Sequence, residues 1–391
     1  MAQKNYIHRI QHKNLLVITP IYPNSDESYY AGTFVKYQLE YIKQYFEKIY
    51  VISPVYQSLK ILEKDILCED YQDEKIIVFY PRCVYYPEFF FNKIVLDNRL
   101  KVVEKTIEKN KLEFDMIHAH FTWPIGYIGS YLKKKYNVPL ITTIHEDRGW
   151  FCREVESQHP YFIQAWSDAD TLIRVNKRDL AVLKRYNSNA ICIPNGYIPA
   201  KNAVEKDQAR EILGIRKDVK VLFSLGTLIK RKGFNYLIDS LNILSNERDD
   251  FISYIGGVGK EEKNLSNQIN SYKLNGKVKL IGSVTNEELY LWYYSCDIFF
   301  LPSLNEGNPT VMFEALGCGR PYVGTDVGGV PEIINSEDYG LLTTPKNSKG
   351  LSDILRIALD KEWDEERILE YSQQYTWENI AKIIYGYYLK N

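Results

Sequence analysis

Short apolar runs recur along the chain, each closed by a polar or glycine-bearing turn and followed by residues with helical apolar spacing. Segments 15–20, 49–54, 75–81, 114–120 and 139–144 read as buried strands, and 171–175 and 190–196 continue the series. The second half repeats the pattern at 219–226, 252–259, 278–284, 297–302 and 321–325. Runs that are apolar throughout, rather than alternating, suit a parallel sheet covered by helices on both faces. Between them, Phe34, Tyr37, Tyr41 and Ile42 fall three or four apart and mark one helix face. Strand and helix in alternation predict an α/β protein. At 391 residues the chain is too long for one ordinary core, so two doubly wound, Rossmann-like domains are expected.

The densest chemistry lies at 303–321, SLNEGNPTVMFEALGCGRP. A buried strand runs into a polar glycine turn and then a helix start, with Asn308 expected as N-cap and Pro309 as first helical residue. Such a start turns free backbone N–H groups outward, so Gly307, Asn308, Pro309, Thr310 and Val311 frame an anion site. Two carboxylates bracket it, Glu306 in the loop and Glu314 on the helix. An acid beside an anion pocket repels phosphate, unless it faces something else. A polyhydroxylated substrate carrying a diphosphate suits both, with phosphate on the N–H groups and hydroxyls on the carboxylates. Taken singly, the two acids would read as a surface loop residue and half of a helical ion pair. Upstream, Lys230, Arg231 and Lys232 precede Gly233 at another helix start. Cations there match the charge that builds on a departing diphosphate, and solvated surface lysines are the plain alternative.

Composition narrows the classes. The net charge of −1 argues against nucleic acid as a partner. Six cysteines lack metal-ligand spacing and read as free thiols in a reducing compartment. His118 and His120 are read as pointing to opposite faces of their strand, which leaves one of them to meet His145 and argues against a metal. Asp168 and Asp170 form an Asp-x-Asp that is read as a helix-terminal feature. No metal and no cofactor are expected. No apolar leader precedes the first strand and no run is long enough to span a membrane, so the expected location is cytoplasmic. Tyr85, Tyr86, Phe89, Phe90 and Phe91, with Arg82 and Lys93 nearby, have two readings: core packing, or an exposed patch touching lipid headgroups or an acceptor's apolar tail at the inner membrane face.

The spacing from Glu306 to Glu314, within EGNPTVMFEALGCGRP and followed by GTDVGGVPEII, resembles the Glu-x7-Glu motif of retaining glycosyltransferases of family four. The opening YPNSDESYYAGTFVKYQLEYI, the Pro-Asn-Gly at 194–196 and the Tyr-Thr-Trp-Glu-Asn at 375–379 resemble the same family. The resemblance implies the GT-B fold, two doubly wound domains facing across a cleft. An acceptor-side domain would span 1–197, with the helix from about 375 to 391 packing back on it, and a nucleotide-sugar domain would span 198–374.

In that family the first Glu, here Glu306, contacts the transferred sugar, and the second, here Glu314, holds the ribose. A histidine after the Thr-x-His strand, here His145, approaches sugar hydroxyls, and the loop at Gly32 reaches the diphosphate. Lys232 matches the diphosphate lysine. The partner arginine is replaced by Thr227, so either Arg231 compensates from the other end of the loop or the donor is held differently, and Ile198 and Glu146 also depart from the usual pattern. The function implied is transfer of a hexose-type sugar from a nucleotide-diphosphate donor substrate to a glycan or lipid-linked hydroxyl, in cell-surface polysaccharide or glycolipid synthesis, without a metal. A sugar-nucleotide epimerase of the same fold and a non-catalytic partner subunit are the alternatives weighed against it.

Overall fold

A computed structural model of the chain describes residues 13–26, 31–57, 68–84 and 93–391. Two units follow from its internal packing: unit 1 takes 1–194 with 380–391, and unit 2 takes 195–379.

Unit 1 is built on β1 (Asn14–Ile18), β2 (Lys48–Ile52), β3 (Val55–Gln57), β4 (Tyr71–Asp73), β5 (Ile76–Phe79), β6 (Arg82–Val84), β7 (Met116–His120), β8 (Leu140–Ile144), β9 (Thr171–Arg174) and β10 (Ala190–Cys192). Its main sheet has the order β10-β9-β8-β7-β1-β2-β5-β4, and β3 pairs with β6 apart from it. All main-sheet pairings are parallel except β4 with β5. Leu15, Leu16, Val17 and Ile18 are all fully buried in the centre of that sheet, as a strand covered on both faces must be. Each such aliphatic side chain contributes about 1.5–3 kcal/mol of burial. The helix Trp377–Tyr388 ends in this unit, where Tyr385 stacks on Tyr45 with ring centroids 3.8 Å apart.

Unit 2 carries β11 (Lys220–Leu225), β12 (Phe251–Gly256), β13 (Val278–Gly282), β14 (Ile298–Leu301), β15 (Tyr322–Thr325) and β16 (Gly340–Thr343). They form one parallel sheet in the order β13-β12-β11-β14-β15-β16. The order reverses between β11 and β14, which are adjacent although two strands separate them in the chain. Open α/β sheets bind ligands beyond the strand ends at such a switch point. The loops that follow β11 and β14, at 226–233 and 302–309, are therefore neighbours. Within unit 2, Tyr197 N donates to Tyr375 O and Trp377 N to Tyr197 O, so its first and last segments are tied to each other.

The short strands β3, β4, β6 and β16 were not expected from the sequence. They are brief and partly exposed at sheet edges, where apolar continuity is lost. The aromatic run at 85–91 lies outside the described residues, as do 27–30 of the loop that leads to Gly32. Among the described residues no helix is long and apolar enough to cross a membrane.

Candidate active site

Glu306 is the centre of unit 2's switch-point loops. Its side chain is almost fully buried, at 5% exposure, and its carboxylate sits among donors. Lys232 Nζ and Ser303 Oγ each donate to Oε1 at 2.7 Å, and Arg231 Nη1 donates to Oε2 at 3.0 Å. Burial alone would push this carboxyl up. The charges of Lys232 and then Arg231, with the hydrogen bonds from Lys232 and Ser303, outweigh burial and hold it below the ordinary range. The group is ionised at neutral pH. Leu304 N donates to Arg231 O at 2.7 Å, which joins the two loops through their backbones as well.

Glu314 lies on the helix Thr310–Leu316 that follows. Its Oε2 accepts from Tyr293 Oη at 2.7 Å, and burial raises its carboxyl despite that bond. The first N–H groups of this helix, at Thr310 and Val311, have no intrahelical acceptor. The helix begins one residue later than expected: Pro309 is its N-cap and no side chain caps it. Asn308 is engaged elsewhere, because its Oδ1 accepts from Asn195 N at 3.1 Å and its carbonyl from Asn195 Nδ2 at 2.8 Å. A long-range pairing has taken the side chain that local capping would use. Gly307 O accepts from Gly329 N at 2.8 Å, which seats the turn of the GTDVGGVPEII stretch against the Glu306 loop. Thr227 is exposed, in the position where the family arginine is expected.

In unit 1 the strand ends of β7 and β8 gather three histidines. His118 and His120 stack on the same face, with ring centroids 4.2 Å apart. This corrects the expectation of opposite faces, since residues i and i+2 of a strand share a face. His118 Nδ1 pairs with Tyr388 Oη at 2.6 Å and Nε2 with Thr143 Oγ1 at 2.8 Å, while His120 Nδ1 pairs with His145 Nε2 at 2.9 Å. Burial depresses His118 to about 3. Burial, then the neighbouring His118, also holds His120 and His145 well below the usual imidazole range, so all three are neutral. The ring of Phe34 lies 4.6 Å from that of His145, which brings the turn at Gly32 beside it. Gly32 has φ +84°, and a Cβ there would stand 2.5 Å from Ile21 O, so glycine is required. Glu146 O accepts from the buried Arg174, and its Oε1 accepts from Thr122 N at 2.6 Å.

Asp168 and Asp170 are held by Lys134 and Lys133, each at 2.6 Å. Among the described residues, no group of three His, Cys, Asp or Glu side chains is placed to hold a metal ion.

Tyr293, Ser303 and Asn195 are partners of the site that the sequence reading does not single out. Ser303 stands in the motif itself, three residues before Glu306, the spacing of a local hydrogen bond. Tyr293, 21 residues from Glu314, leaves no such signal.

Two doubly wound Rossmann-like units are the architecture of the GT-B fold, and the second carries an acid–cation cluster at its switch point. Residues 205–375 match the family described as Glycosyl transferases group 1, and residues 63–201 match Glycosyltransferase Family 4. The chain is 28% identical over 290 residues to an uncharacterized glycosyltransferase of Methanocaldococcus jannaschii, covering 73% of this chain and 78% of that one. It is 26% identical over 307 residues to a D-inositol 3-phosphate glycosyltransferase of Corynebacterium aurimucosum, covering 69% and 70%. The structure of Anabaena Alr3699/HepE in complex with UDP and glucose superposes with a TM-score of 0.73 at 19% identity, covering 97% of this chain and 100% of that one. With both halves matched, the chain is a family-four-like glycosyltransferase of the GT-B fold.

Proposed function

We propose that this enzyme is a retaining, metal-independent transferase that moves a hexose-type sugar from a nucleoside-diphosphate donor to a hydroxyl of a glycan or lipid-linked acceptor. The observation that carries the reading is the buried, ionised Glu306, held between Lys232 and Arg231 at the end of β14. Lys232, on its long stem, would exchange this contact for a donor's diphosphate, assisted by the N–H groups that open the helix at Thr310. Glu306 would then accept hydrogen bonds from sugar hydroxyls, and Glu314 from the ribose. In unit 1, the neutral His145 offers an uncharged group suited to a sugar hydroxyl, and Gly32 allows close backbone approach to an anion.

In the transfer, the acceptor oxygen bonds to the anomeric carbon on the face the diphosphate leaves. The bond from that carbon to the phosphate oxygen breaks with its electron pair, and the acceptor's proton passes to the departing phosphate. Lys232 balances the charge that develops there. The carboxylate is not required as a covalent nucleophile. Binding of UDP and glucose by the Anabaena protein supports UDP-sugars as the first donors to test, and the inositol phosphate glycosyltransferase supports a polyol hydroxyl as acceptor.

The test is nucleoside-diphosphate release from UDP-, GDP- and ADP-sugars with EDTA present, on the parent and on Glu306→Ala. Release from one donor, lost in the variant, is expected. Tight nucleotide binding with no release from any donor, even with acceptor extracts added, would instead make the chain a non-catalytic partner subunit.

A further inference from the structure

The ties that hold Glu306 are unequal. Lys232 reaches it by a single contact of 2.7 Å from the end of a flexible stem. Arg231 is joined to the acid loop at three points. Its carbonyl accepts from Leu304 N at 2.7 Å, and its Nη1 divides between Asn305 O at 2.8 Å and Glu306 Oε2 at 3.0 Å. The next residue but one, Gly233, passes so close to the acid loop that a Cβ would come within 2.1 Å of Pro302 O. Segments 231–233 and 302–306 are thus hydrogen-bonded and closely packed on each other. The carbonyl of Asn305 holds the same guanidinium nitrogen that meets the carboxylate, so the cation is anchored beside Glu306.

We infer that Arg231 is a positioning residue for Glu306, keeping that carboxylate in place when Lys232 turns to the diphosphate of a bound donor. The inference rests on the roles proposed above for Glu306 and Lys232. When a diphosphate takes the lysine ammonium, Glu306 retains Ser303 Oγ on one oxygen and Arg231 on the other. A buried carboxylate stripped of both cations would take up a proton and lose its fixed orientation. The charged and titratable groups facing it are Lys232, Arg231 and the buried phenol of Tyr322, and only Arg231 has a backbone anchor on the same loop. Lys232 is then the cation left to the diphosphate.

The experiment is steady-state release of nucleoside diphosphate from UDP-glucose, GDP-mannose and ADP-glucose between about pH 5 and pH 9. The enzymes are the parent, Arg231→Met, Arg231→Lys, Lys232→Met and Glu306→Gln. Arg231→Met is expected to lower kcat about 10- to 100-fold, with donor KM within about threefold. It is also expected to move the acidic limb of the kcat profile to higher pH, whereas Lys232→Met raises donor KM. Arg231→Lys keeps the charge without the fork, so it restores the acidic limb and only part of kcat. If Arg231→Met does not fold, Arg231→Lys decides: a parental kcat with raised KM overturns the inference. It is overturned equally if Arg231→Met raises KM while kcat and its pH limb stay parental. A parent inactive on every donor removes the reading of Glu306 itself, and this inference with it.

Discussion

The phenol of Tyr293 donates a 2.7 Å hydrogen bond to Oε2 of Glu314, and burial shifts both groups upward in pKa. The bond fixes one carboxylate oxygen, and the prediction that follows rests on the ribose role proposed above for Glu314. Tyr293→Phe removes it without changing the shape of the core. We expect donor KM to rise about 10- to 150-fold, the worth of a hydrogen bond to a charged group, with little change in kcat. Calorimetric binding of UDP to the same variant should weaken in parallel. An unchanged KM would show that Glu314 needs no such anchor.

Gly233 links the cation loop to the acid loop. Its φ of +69° lies in the left-handed region, and a Cβ would meet the carbonyl oxygen of Pro302, which cannot move aside as a side chain could. Gly233→Ala should therefore destabilise unit 2 by about 2 kcal/mol or more. Thermal unfolding monitors this, and an unaltered Tm would refute the close approach.

The three neutral histidines of unit 1 make stability depend on pH. His118 is depressed from 6.5 to about 3 by burial, so the unfolded chain binds a proton there that the folded chain refuses. That stabilisation is complete above 6.5 and is lost as pH falls toward 3. The loss is about 1.4 kcal/mol for each pH unit within the window. Urea unfolding compared at neutral and mildly acidic pH should show it, and His118→Gln should flatten the difference. A parent equally stable across the window would contradict the buried, neutral assignment.

Two buried acids near the same strand ends act with the opposite sign. Oε2 of Glu146 and Oε2 of Glu154 both lack a hydrogen-bond partner. Burial, then the charge of Glu146, pushes the Glu154 carboxyl well above the ordinary range. The folded chain therefore keeps a proton that the unfolded chain releases, and stability declines as pH rises from the ordinary value of 4.5 through the raised one. Glu154→Gln removes the ionisable group and keeps its shape. The variant should gain about 1 kcal/mol or more over the parent at alkaline pH and little at acid pH, read from unfolding midpoints at both. A variant that is less stable at both would show that the carboxyl is needed as such.

The central parallel strands were legible because apolar residues dominate them, as in Leu15 to Ile18 and Ile298 to Leu301. The edge strands β4 and β16 were not, because their partly exposed residues lack such a pattern. His118 and His120 share a face, against the expectation of opposite ones, because a strand repeats every two residues and their rings therefore stack. The capping of the Glu314 helix departs from expectation for a different reason. Asn308 is a good local cap, but Asn195, 113 residues away, competes for its side chain and wins.

Local pattern alone established an α/β chain with two wound halves, glycine turns at strand ends, and acids and cations placed beside those turns. These depend on neighbours a few residues apart, and hydrophobic periodicity records such neighbours directly. What the tertiary structure decided was which of those groups meet. Lys232 and Arg231 reach Glu306 from 74 and 75 residues away because β11 pairs with β14 and skips two intervening strands. Strand order fixes which loops adjoin, and it is set by how whole crossovers pack, a free energy summed over many residues and written in no single stretch of the chain.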